Sequence, residues 1–174
     1  MMNIKSIVTL CLTFLITAIL GVVNPSPAYA FEAQLANSTT HWINQGGSKM
    51  TLVLANCGVS QPIVCQASGT YVNNEPGYKC QGSPYPLTGV YYINTQTISW
   101  SVAWSNGHDD CQSVTGWTGY LGSNSSGQLQ FLTDWNLAYA TSGGGRTIQQ
   151  GKDTFTKVPH PISSQSLLKD SQSE

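Results

Sequence analysis

The sequence predicts an all-β fold, an antiparallel barrel or sandwich of about eight strands. Two observations carry that reading. Short runs rich in Val, Ile, Thr, Trp and Tyr recur along the chain, separated by Gly- and Asn-rich turns and without a helical period. Several of these runs also alternate apolar and polar residues, as a half-buried strand must when successive side chains point to opposite faces.

Taken in order, residues 1–30 read as an export signal rather than part of the fold, with an uncleaved membrane anchor as the alternative. Lys5 precedes an apolar run over residues 7–23, and a proline-broken exit ends in Ala28-Tyr29-Ala30, an A-x-A cleavage site. The expected mature start is Phe31. The first strand-like runs are "HWIN" (41–44) and "GGSKMTLVLA" (46–55). A turn within "NCGVSQPIVC" then leads to "IVCQASGTYV" (63–72). "NNEPGYKCQGSPYP" (73–86) reads as irregular because of its Gly and Pro content. "LTGVYYI" (87–93) and "TISWSVAW" (97–104) flank the turn "NTQ". After the loop "SNGHDDCQS" come "VTGWTGYLG" (114–122), the turn "SNSSG" and "QLQFLTDWNLAYA" (128–140). The glycines at 143–145 precede a short closing strand, "DTFTKV" (153–158). Pro159 and Pro161 end it, and the Ser- and Gln-rich residues 159–174 are expected to be a flexible tail. An alternative for "ISSQSLLKD" is a weak self-ligand folded over a pocket mouth.

Alternation assigns the faces. Ile98, Trp100, Val102 and Trp104 share one side of their strand, and Phe131, Thr133, Trp135, Leu137 and Tyr139 share one side of theirs. Ordinary cores favour Val, Ile and Leu. Tryptophans converging from successive strands can instead wall a site for one small, flat ligand inside a barrel of about eight strands. The competing reading is that they simply fill the interior.

Composition excludes several functions. Charged residues make up 9% of the chain and the net charge is −1, with no basic or acidic block, which argues against nucleic acid and charged membranes as partners. Of five cysteines, Cys11 lies in the signal. Cys57, Cys65, Cys80 and Cys111 form an even set in an exported chain, which implies disulfides with three possible connectivities. No close C-x-x-C pair or neighbouring His supports zinc. His41, His108 and His160 sit in a strand start, a loop and the tail, with no nucleophile elbow or paired carboxylates, so no catalysis is expected.

Six segments in order, "HWINQGGSKMTL", "GTYVN", "WSVAW", "SVTGWTGY", "TDWNL" and "GKDTFTKV", resemble the avidin–streptavidin family of biotin-binding barrels. "CQGSPYPLTG" and "TGWTGY" resemble its dimeric, rhizavidin-like bacterial branch. The resemblance implies an eight-stranded antiparallel up-and-down barrel over residues 31–158 that binds biotin without catalysis or cofactor. The alternative is an avidin-fold barrel that takes a different small hydrophobic ligand or a peptide.

By the same resemblance, Asn44, Ser48 and Tyr71 donate to the ureido oxygen, while Asp153 and Asn73 accept the ureido N–H groups. Thr115 meets the thiophene sulfur, and Trp104, Trp117, Trp135 and Leu137 form apolar walls. Ser113 and the loop after Asn73 meet the valerate carboxylate. Trp42 and Trp100 are read as structural. Gly46 stands where streptavidin has a Leu that touches ligand. Near Gly145 the chain lacks the Trp that tetrameric members lend to a neighbour, so a homodimer is implied. The branch also implies a Cys80–Cys111 disulfide, which leaves Cys57 to Cys65. The expected location is secreted or periplasmic, with no membrane association after signal cleavage.

Overall fold

The computed structural model describes residues 35–58 and 64–159. The expected signal and the tail, with its self-ligand alternative, fall outside the described residues. Eight strands follow one another: β1 (Ser38–Ile43), β2 (Lys49–Ala55), β3 (Val64–Val72), β4 (Pro84–Tyr92), β5 (Thr97–Ser105), β6 (Asp110–Ser123), β7 (Leu129–Ala140) and β8 (Arg146–Val158). Each pairs antiparallel with the next, and β8 returns to β1 through Trp42 opposite Lys157, so the sheet closes into an up-and-down barrel. Closure removes the sheet edges that a sandwich would leave. Among the described residues, no helix is long and apolar enough to cross a membrane.

Four strands begin before the runs that the sequence suggests, β1 at Ser38 rather than His41 among them. β4 begins at Pro84, inside the stretch expected to be irregular. Its two prolines are tolerated because residues 84–86 ladder only with β3, and pairing to β5 starts at Leu87. β6 starts at Asp110, within the expected loop, and a register shift between Ala103 and Ser105 marks where β5 accommodates it. β8 starts at Arg146 rather than Asp153, and its polar first half, residues 146–152, is held by seven of the eleven consecutive pairs that β8 makes with β7.

The alternation holds. Ile98, Trp100, Val102 and Trp104 are all buried inside the barrel. The end carrying the β2–β3, β4–β5 and β6–β7 turns is packed with apolar side chains. There Trp42 lies 4.3 Å from Phe131, ring centre to ring centre, and Tyr91, Ile98 and Leu121 are buried beside them. The opposite end carries the β1–β2, β3–β4, β5–β6 and β7–β8 connections, and there the barrel opens. Trp100, stacked on Trp117 at 5.6 Å and 12°, separates the two halves.

Two disulfides sit at opposite ends: Cys80–Cys111, which the resemblance implies, and Cys57–Cys65, the pair it leaves. Cys57–Cys65 spans the β2–β3 connection at the packed end. Cys80–Cys111 ties the β3–β4 loop to the start of β6 at the open end.

Candidate binding site

The open end leads into a cavity of about 800 Å³. All eleven residues singled out in the sequence line it. They arrive from five strands, one turn and one loop: Asn44 and Ser48 bracket the β1–β2 turn, while Tyr71 lies near the end of β3 with Asn73 just beyond it. Trp104 ends β5. Ser113, Thr115 and Trp117 alternate along β6, Trp135 and Leu137 along β7, and Asp153 faces inward from β8.

Asp153 organises the polar side. Its Oδ2 accepts the Trp117 indole N–H at 2.8 Å, and its Oδ1 accepts Gln45 Nε2 at 2.9 Å and Asn44 Nδ2 at 3.2 Å. Three donors on a buried carboxylate hold it in one orientation and offset its desolvation. Thr133 Oγ1 donates to its backbone carbonyl at 3.0 Å, which fixes the strand beneath it. Oδ2, with a single donor, retains capacity for a second.

The β1–β2 turn is folded by its own side chain. Asn44 Oδ1 accepts Ser48 N at 2.8 Å, leaving one Asn44 amide hydrogen uncommitted after the bond to Asp153. Ser48 Oγ accepts Asn74 N at 3.0 Å and donates to Asn73 Oδ1 across a long 3.4 Å. Asn73 Oδ1 also accepts Glu75 N at 3.0 Å, and Asn73 Nδ2 donates to the Lys79 carbonyl at 3.3 Å. The Asn73 oxygen expected to accept a ligand N–H is therefore already engaged in shaping the β3–β4 loop.

Aromatic rings complete the wall. Tyr71 stands 5.0 Å from Trp117 and 5.7 Å, edge to face, from Trp104. Burial first, and the Asp153 charge second, push the Tyr71 phenol far above its ordinary value, so it is a neutral donor. Trp104 Nε1 donates to Thr115 Oγ1 at 2.8 Å, which leaves the threonine hydroxyl hydrogen free to point elsewhere. Trp135 lies across Gly151, where any Cβ would come within 2.4 Å of its ring. Trp135, Leu137 and Ser113 are half-buried, nearer the mouth. Trp42 lies in the packed end, as expected, and Trp100 forms the layer beneath Trp117.

The family profile described as "Avidin family" matches residues 32–158. The chain belongs to the avidin family. Among curated avidin relatives, hoefavidin from Hoeflea phototrophica is 44% identical over 137 residues, spanning 79% of this chain and 81% of hoefavidin. Afifavidin from Afifella pfennigii is 47% identical over 131 residues, covering 75% and 74% of the two chains. The crystal structure of a rhizavidin–biotin complex superposes with a TM-score of 0.63 at 42% identity, covering 73% of this chain and 98% of that one. Avidin membership makes this a binding protein rather than an enzyme.

Sequence reasoning did not single out several residues of this cavity. Gln45 binds Asp153, donates to the Lys152 carbonyl at 3.1 Å and accepts Thr154 N at 2.9 Å, so it clamps β8 on both sides of the carboxylate. Gly151 makes room for Trp135, and Glu75, Lys79 and Tyr139 line the cavity. Gln45 is adjacent to Asn44 in the matched segment, which was the available signal. Alternation already puts Tyr139 on the face of Trp135 and Leu137, and Glu75 and Lys79 fall in the loop after Asn73; their individual contacts are what the sequence pattern does not give.

Proposed function

We propose that the protein binds biotin non-covalently in the barrel cavity, as an exported homodimer held oxidised by its two disulfides. The observation that carries the reading is the pairing of neutral donors with a fixed carboxylate on one buried wall. Asn44 has a spare amide hydrogen, Ser48 a rotatable hydroxyl and Tyr71 a protonated phenol, while Asp153 Oδ2 has an unused acceptor site. A cyclic urea presents the complementary set, one carbonyl oxygen and two N–H groups.

Donors on the carbonyl and an anion on the N–H side polarise the urea in the same sense. Preorganised groups in a dry cavity do this with little reorganisation. The long Ser48–Asn73 bond supplies the one movable piece. When the Ser48 hydroxyl turns to the ureido oxygen, Asn73 Oδ1 loses that donor and becomes available to the second N–H. Thr115 directs its free hydroxyl hydrogen at the thioether sulfur, and Trp104, Trp117, Trp135 and Leu137 enclose the bicycle. Ser113 and the β3–β4 loop receive the tail.

An outer-surface apolar row supports the homodimer. Val114, Ala138 and Ile148 are in register across β6, β7 and β8, and Val114 and Ile148 are exposed. The paired disulfides support an oxidising, extracytoplasmic location. The oxidised protein should stay on biotin–agarose through washes with high salt and elute only on denaturation. Free passage through that column would exclude the reading in favour of a barrel with another ligand.

A further inference from the structure

Two acids, Asp153 and Glu75, and two lysines, Lys79 and Lys152, line the cavity among the described residues. Asp153 belongs to the ureido wall. Glu75 has no place in that scheme, and its position is fixed at both ends. Its backbone N–H donates to Asn73 Oδ1 at 3.0 Å, and its carbonyl accepts the Gln81 side-chain amide. Its half-buried side chain reaches from the β3–β4 loop to the β1–β2 turn, where the carboxylate occupies the space that a Cβ on Gly46 would need. A side chain at position 46 would exclude this arrangement, so the glycine admits the acid.

The two lysines do not cancel the charge in the same way. Lys152 is fully exposed and bound to Asp134 at 2.5 Å on the outer surface. Lys79 is exposed, and water and salt screen it. The Glu75 carboxylate is half-buried against the rim, where its field is screened less. That field reaches the interior, since Glu75 is among the charges that raise the Tyr71 phenol.

Biotin with its ureido group on the Asp153 wall must direct its tail toward this rim. Free biotin ends there in a carboxylate that is anionic at neutral pH, whereas biotin joined to an amine ends in a neutral amide. We propose that Glu75 biases the cavity by tail charge, toward amide-linked biotinyl groups and away from the free acid. The inference rests on the biotin reading above, and it makes Glu75 a specificity-determining residue of that site.

The test compares dissociation rates of biotin and biotinamide, in which the tail carboxylate is a primary amide, from the full oxidised protein and two variants. Glu75→Gln removes the charge in place. Gly46→Ala keeps it but displaces the flexible carboxylate from the rim; Gly46 has no positive φ to strain an alanine. The ratio of the biotin rate to the biotinamide rate should fall about three- to tenfold in both variants at low ionic strength, with the difference shrinking at high salt. Lys79→Gln should move the ratio the opposite way, and by less. A ratio that neither Glu75→Gln nor Gly46→Ala lowers, with both ligands still bound, would overturn this inference alone. Failure of the unmodified protein to bind either ligand would remove the biotin reading and this inference with it.

Discussion

On β8, Phe155 and Asp153 both face the barrel interior two residues apart, yet one is fully buried in aromatic packing and the other carries a charge. Trp42 near the end of β1 and Asn44 in the turn just after it repeat the contrast. Below the Trp100–Trp117 stack the inward positions interlock as Trp42, Phe131, Tyr91 and Ile98. Above it they leave a cavity of about 800 Å³ walled by Asn44, Ser48, Tyr71, Thr115 and Asp153. Alternation decides only which side chains point inward. Whether the interior closes or stays open is decided by what those side chains can satisfy. Apolar groups gain by packing against one another, whereas buried polar groups must be hydrogen-bonded into fixed positions. The lower half therefore holds the fold and the upper half presents a rigid polar surface, so damage to each should appear in a different measurement.

The largest effect is expected in the upper half. Asp153→Ala removes the acceptor shared by Trp117, Asn44 and Gln45 and should weaken biotin binding by about 10³-fold or more, measured by competition against labelled biotin. Its effect on the unfolding midpoint of the free protein should be small by comparison. Phe131→Ala should do the reverse. Truncating this fully buried ring should cost about 3–5 kcal/mol of stability in urea unfolding. The folded fraction should retain the binding stoichiometry. Equal damage to both quantities from either substitution would break the division.

The disulfides sharpen it. Cys80–Cys111 closes a separation of 31 residues at the mouth, and Cys57–Cys65 one of 8 at the packed end. Loop-closure entropy assigns them about 4 and 2.5 kcal/mol of stability. Replacing Cys80 and Cys111 by Ser should also speed biotin release by about tenfold, because the β3–β4 loop loses its tether. Replacing Cys57 and Cys65 should leave release within about twofold, since the bridge lies at the far end of the barrel.

The smallest effect concerns Tyr71. Its folded-state pKa is raised by burial and then by Asp153, so below pH ~10 the phenol is neutral in both folded and unfolded chains. Above that pH the unfolded chain releases the proton first. Stability should then fall by up to about 1.4 kcal/mol per pH unit, and Tyr71→Phe should reduce that alkaline slope in urea midpoints between pH 9 and 11.

The inward faces of β5 and β7 were legible because strict alternation and large aromatic residues leave little choice of register. The cavity-lining set was legible because the matched segments bring those residues in order. The first half of β8 was not, since Gln149, Gln150 and Gly151 carry no strand-like pattern and are held by pairing with β7. Nor was the approach of Glu75 to Gly46, because two turns meet there that lie far apart in the chain. The engagement of Asn73 by Ser48 and Glu75 depends on side-chain geometry that residue spacing does not contain. Cysteine positions alone left three connectivities open; the closed barrel, which brings Cys80 beside Cys111, selects one.

The central claim is that one cavity per chain holds a cyclic urea against a preset wall of donors and a carboxylate. Calorimetric titration of the oxidised protein with biotin tests it directly. The account predicts an exothermic titration with one site per chain, accompanied by a large rise in the melting temperature. A folded, oxidised protein that gave no heat and no melting shift with biotin would contradict it.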